Sequence, residues 1–128
     1  MLWFCGLGGH MQAKPSTAEL IAFVGARLAE TAVHAELFHE LACEAVASGE
    51  PGPRTAVLEG CACPVPREIL DRALALRSEL DDCEQRIRCQ NPRDPKWPLD
   101  PVFAEQTLRV LALPFELHHQ WQDAWLPG

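Results

Sequence analysis

Cysteine and histidine carry the richest chemistry in this chain, and their spacing limits what they can do. Cys61 and Cys63 form a C-x-C pair, and His39 and Cys43 stand four residues apart; Cys83 and Cys89 follow, and His118 and His119 are adjacent. Zinc takes four ligands converging tetrahedrally, usually offered as two pairs with about two to five residues between partners. The C-x-C pair is tighter than that. His39 and Cys43 have usable spacing but lie at the edge of an apolar stripe, and Cys83 falls in a helical seam where a thiol serves as a small hydrophobe. The expectation is no metal and no cofactor, with a zinc-stabilised regulator using Cys/His ligands as the alternative.

Thiol catalysis needs a depressed thiolate pKa, commonly from a helix N-terminus or a nearby cation. Cys63 precedes a helix, but one loop thiol is a thin basis for a reaction. No G-x-S-x-G elbow, H-E-x-x-H pair, phosphate loop or dinucleotide fingerprint occurs, and His39-Glu40 lacks the second histidine of a zincin. No catalytic residue is therefore named, and the chain is expected not to be an enzyme.

The 128 residues have room for a single ordinary core, and 48 % hydrophobic with 23 % charged residues is a globular balance. A net charge of −7 argues against nucleic acid, whose phosphates demand basic patches. The densest basic stretch, Arg86, Arg88 and Arg93, is interleaved with Asp81, Asp82, Glu84 and Asp94. No apolar run reaches the roughly 18 residues of a membrane span. The start, MLWFCGLGG, lacks a charged leader region and is short for a signal peptide, whereas Met11 begins a more natural-looking N-terminus. Residues 1–14 are expected to be a disordered extension before a single helical domain, 15–128. A cytoplasmic setting would keep all six cysteines as thiols or ligands. Nine Arg against two Lys, with abundant Ala and Pro, is the bias of a GC-rich genome.

The elements follow from periodicity. Ser16 or Thr17 is expected to cap a first helix with Glu19 in its first turn. Its stripe of Leu20, Val24, Leu28, Thr31, Ala35, Phe38, Ala42 and Ala45 runs on to SGEPGPR, with Glu36, Glu40 and Glu44 opposite. Residues 54–60 are a short strand or an extended segment. A second helix runs from near Pro66 to about Arg88, with a seam of Ile69, Ala73, Leu76, Leu80, Cys83 and Ile87 widened by Leu70 and Leu74. An antiparallel hairpin with the first helix is the natural reading, and a homodimeric seam the rival. After the proline-rich QNPRDPKWPLDP, Asp100 and Pro101 read as N-cap and first residue of a third helix, 101–113, offering Val102, Phe103, Leu108, Leu111 and Ala112. Pro114 ends it, and a last short helix carries Phe115, Leu117, Trp121 and Trp125.

The fold expected is thus mainly α: an antiparallel helical hairpin closed by a third helix and a short aromatic C-terminal helix. The tail is expected to be a structural plug, burying Leu111, Leu113, Phe115 and Trp125. Its binding candidates are His118, His119, Trp121 and Trp125, because Trp and His at a partly exposed rim suit a protein-interaction hot spot.

The run TLRVLALPF, with Trp125 eleven residues past Pro114, resembles the ending of an actinobacterial family of small proteins, found also in phages and mobile elements. That family closes on Leu-Arg-x-Leu-Ala-Leu-Pro-aromatic, an acidic segment and a Trp. Thr107, Leu108, Arg109, Leu111, Ala112, Leu113, Pro114, Phe115 and Trp125 match that pattern. AELIAFVGARLAE and PREILDRALALRSELDD are similar to its opening and central helices. The family usually has Tyr at the position of Phe115 and His-Pro at that of His118-His119, and a longer segment between the first two helices. The resemblance implies an actinobacterial or phage origin and carries no activity. The function expected is a small cytoplasmic, non-enzymatic interaction or accessory protein whose partner is another protein or a second copy in a homodimer, with no membrane and no nucleic acid.

Overall fold

A computed structural model of the chain describes residues 13–39 and 63–128. Helix accounts for 72 % of these residues, and no strand occurs among them, so the fold is mainly α. Helix α1 spans Pro15–His34, α2 Val65–Arg88 and α3 Leu99–Ala112, with 3-10 turns at Ala35–Leu37, Leu113–Phe115 and Asp123–Trp125. The chain divides into two compact units, Met1–Arg27 with Leu76–Gly128, and Leu28–Ala75. Residues 1–12 of the expected extension, the possible strand at 54–60 and the Gly/Pro return all lie outside the described residues.

Helix α1 begins one step earlier than its polar residues suggest. Pro15, which has no N–H to lose and a φ already suited to a helix, opens it. The Lys14 carbonyl accepts the first helical bond from Ala18 N–H at 2.9 Å. Ser16 and Thr17 are therefore inside the helix, not capping it. Thr17 is buried and donates its hydroxyl to the Glu105 carboxylate of α3 at 3.2 Å. The expected stripe holds at Leu20, Val24, Leu28 and Ala35, all buried. It does not hold at Phe38, which is exposed on extended backbone just after the 3-10 turn. No proline or glycine marks His34 as an end, so a pattern that continued in sequence outran the helix. Ala42 and Ala45 lie outside the described residues.

In α2 the Pro64 carbonyl accepts from Glu68 N–H at 2.9 Å, and the seam falls as its spacing dictates. Ala73, Leu80, Cys83 and Ile87 are buried, Ile69, Leu70 and Leu76 half-buried, and Leu74 exposed, so the stripe is narrower than expected. In the first unit, Gly25 of α1 lies against Leu80, with a Cβ built on it 3.7 Å from the Leu80 methyl. Toward the start of α1, Thr17 shares a cavity wall with Ile87, toward the end of α2. These two segments therefore run in opposite senses.

The proline-rich loop is held by side chains. Asn91 and Asp94 each accept a backbone N–H two residues on, from Arg93 at 3.0 Å and Lys96 at 2.8 Å. Gln90 donates to the Ile87 carbonyl at 2.8 Å and accepts from the Trp97 indole at 2.9 Å, fastening the loop to the end of α2. Helix α3 then starts at Leu99 with Pro98 in the cap position. Asp100, expected as the cap, sits in the first turn and accepts instead from the Arg86 guanidinium at 2.9 Å. The buried face of α3 is Ala104, Leu108 and Ala112. Val102 and Phe103, expected in the core, face outward.

Candidate functional site

Pro114 has no N–H for the helical ladder, so regular structure past α3 degrades into short turns. Backbone bonds Glu116 to Leu113, His118 to Phe115 and Trp121 to His118, at 3.1, 3.0 and 2.9 Å, each span three residues. The tail is a chain of tight turns and 3-10 segments rather than the short helix expected. Leu117, expected on a last short helix with Trp121 and Trp125, is consequently 96 % exposed.

These turns fold four rings of the tail around Phe23 of α1. Phe115, His118 and Trp121 meet it edge-on with ring centroids 6.4, 5.6 and 6.1 Å away. Trp125 lies closer, at 4.9 Å and tilted by 42°. Trp121 and Trp125 are edge to face at 5.7 Å. Such offset geometries align the positive ring edge with a negative face, adding about 0.5–1.5 kcal/mol per pair to the burial itself. Arg27, one helical turn after Phe23, places its guanidinium 5.3 Å from that ring and donates to His118. Arginine has no acceptor, so a ring nitrogen of His118 accepts in this contact. Arg27 is buried, an unusual place for a guanidinium that ring stacking and hydrogen bonding offset.

Two polar ties complete the anchoring. Arg109 donates to the carbonyls of Ala124 and Leu126 at 2.8 and 3.0 Å, on either side of Trp125. Gln122 donates to the Glu19 carboxylate at 3.2 Å.

The four binding candidates thus separate. Trp125 is buried and serves as an anchor. Trp121 and His118 are half-buried, and His119 is exposed, stacked on His118 at 4.3 Å. Of the expected plug residues only Trp125 is fully buried; Leu111, Leu113 and Phe115 are half-covered. Phe23 and Arg27, the hub of the cluster, were not singled out in the sequence as site residues. Their signal was the i, i+4 pairing of a ring with a cation on one helix face.

The cysteines need one correction. Cys63 and Cys83 keep their thiols, but Cys89 is disulfide-bonded to a partner outside the described residues, so the six cysteines are not all thiols. Disulfide formation follows distance in space, which sequence spacing does not give. Burial, with Glu79 and Asp82 adding to it against Arg86, pushes the Cys83 thiol up to about 11, the opposite of an activated nucleophile. Among the described residues no group of three His, Cys, Asp or Glu side chains could hold a metal. Cys43 and Cys61 lie outside them. No helix among the described residues is long and apolar enough to cross a membrane.

Comparison with protein-family models, curated proteins and solved structures finds no match to this chain.

Proposed function

We propose that this chain is a small non-enzymatic interaction or accessory protein, of an actinobacterium or one of its phages or mobile elements, and that its partner is another protein. One observation carries the reading. Leu117 projects almost wholly into water from a turn whose flanks, Phe115 and His118, are both packed on Phe23. A large apolar side chain held out by a rigid base loses little conformational freedom on binding, as an interface anchor should. His119, exposed, and Trp121, half-buried, follow two and four residues along the same tail and supply the polar and aromatic rim. The disulfide of Cys89 is of a kind that persists where thiols are oxidised, which counts against the cytoplasmic setting expected from cysteine usage.

The test is capture of a defined partner from host lysate by the wild type and by a Leu117→Asp, His119→Ala variant of equal melting temperature. Loss of that partner with the variant is the expected result. Equal capture by both places the interface elsewhere and defeats the reading.

A further inference from the structure

The end of α2, the proline-rich loop and the start of α3 wall a cavity of about 290 Å³, none of whose lining residues belongs to the tail. One wall is Trp97. That ring is 40 % exposed, yet its indole N–H is fastened to Gln90 at 2.9 Å. Asn91 and Asp94 brace the loop that carries it by accepting the N–H groups of Arg93 and Lys96. A large aromatic held half out of the core by a hydrogen-bonded loop is in place before any ligand arrives, so little ordering is left for binding to impose.

The polar groups around Trp97 differ in what they have left to offer. Arg86 is committed, to Asp100 at 2.9 Å and to Asp82 at 3.6 Å. The Gln85 amide makes no hydrogen bond among the described residues, so its N–H donors and its oxygen are all open. Asn91 and Asp94 each use only Oδ1, which leaves the Asn91 amide N–H groups and Asp94 Oδ2. The open set therefore mixes donors with acceptors around one aromatic ring.

We propose that this cavity binds a neutral pyranose, a sugar ring with no charged substituent. A hydroxyl is donor and acceptor at once, so it can use amide N–H, amide oxygen and carboxylate together. The C–H face of such a ring can lie flat on an indole and gain dispersion contact along it. Other ligand classes leave part of the set idle. An ammonium or guanidinium ion is drawn to an indole face but would use only the acceptors. Two of the three carboxylates here, Asp82 and Asp100, also already share Arg86. A phosphate or carboxylate would use only the donors and would meet Asp94. The volume lies at the bottom of the range of about 300–1,000 Å³ for small-molecule sites, room for one ring and not for a chain of them. The site uses other residues than the tail, so it stands or falls apart from the Leu117 reading.

The experiment is a nitrogen-15 NMR titration of the full chain with the methyl glycosides of glucose, galactose, mannose and N-acetylglucosamine. At least one should move the Trp97 indole peak and the Gln85 side-chain amide peaks, saturating at roughly millimolar concentration. Methyl glucuronide, a pyranose bearing a carboxylate, should bind several-fold more weakly than the neutral glycoside. Gln85→Ala should weaken binding several-fold at an unchanged melting temperature, since Gln85 is exposed. Trp97→Ala should abolish it; if that variant does not fold, Gln85→Ala decides alone. A disaccharide carrying the bound sugar at its free end separates the sources. Binding at least as tight as the monosaccharide's identifies a glycan terminus, and weaker binding a free sugar. No shift from any of the four glycosides overturns the proposal, as does a shift of the same peaks by agmatine alone, which assigns the cavity to a cation. Sugar binding that survives both substitutions unchanged lies elsewhere on the chain and overturns it too.

Discussion

Trp125 rests on Phe23 with ring centroids 4.9 Å apart, and both side chains are buried although about a hundred residues of chain separate them. This contact fastens the C-terminus to the first helix. Trp125→Ala should cost about 3–5 kcal/mol as a buried large-to-small change. The indole N–H, however, is buried with no partner among the described residues. Trp125→Phe gives up no hydrogen bond and should recover most of that loss. Urea melts of the two variants decide it; equal damage from both would mean that the indole N–H is bonded.

The second expectation concerns Arg109. Its guanidinium bonds the carbonyls either side of Trp125, so it fixes the backbone that presents the ring. Arg109→Met should cost about 1.5–3 kcal/mol, the range for hydrogen bonds that involve a charged group. Arg109→Lys should restore little, because an ammonium cannot reproduce the planar fork. Limited proteolysis should cut the Met variant between residues 113 and 128 well before the wild type. Equal cleavage rates would remove Arg109 as the clamp.

The sequence disclosed α2 almost completely, because its apolar side chains recur every three or four residues between proline start and proline-rich stop. In helix α3 the expected Leu108 and Ala112 are buried, whereas Val102 and Phe103 are not, for a physical reason. Val102 and Phe103 are larger and more hydrophobic than Ala104, so a count of apolar mass favours them over the alanine that is buried. The buried side is Ala104, Leu108 and Ala112, spaced by four, where small residues let a helix approach its neighbours closely. The tail aromatics were legible as a packed group, but not their target. Phe23 lies beside the Leu20, Val24, Leu28 stripe, and only the fold brings Trp125 to it. Nor could spacing disclose that Leu117 points into water, since that follows from Pro114 replacing a helix with turns.

Gly25 offers a stabilising change. It is buried within α1, where glycine costs about 1 kcal/mol relative to alanine. A Cβ there would meet the Arg77 Nη1 at 2.8 Å and the Leu80 methyl at an ordinary 3.7 Å. The first neighbour is the end of a half-exposed, flexible side chain that can swing away. Gly25→Ala should therefore raise stability by about 0.5–1 kcal/mol, read as a higher urea midpoint. A lower midpoint would mean that Arg77 is fixed in place.

Cys83 makes stability depend on pH in the alkaline range. It is fully buried, and burial with the Glu79 and Asp82 carboxylates raises its thiol from the ordinary 9.0 to about 11. In the unfolded chain the thiol loses its proton near its ordinary value, while in the folded chain it keeps it. Below pH 9 both states hold the proton, and stability is unaffected by this group. Between about 9 and 11 the unfolded state binds fewer protons, so stability falls as pH rises, by at most about 1.4 kcal/mol per pH unit. Cys83→Ala removes the titrating group and leaves a small, pH-independent cavity penalty. Urea melts at pH 8 and pH 10.5 should show the wild type more stable than the variant at pH 8, with that advantage shrinking or reversing at pH 10.5. An advantage unchanged between the two would mean that the thiol ionises alike in both states, and that water reaches Cys83 in the folded chain.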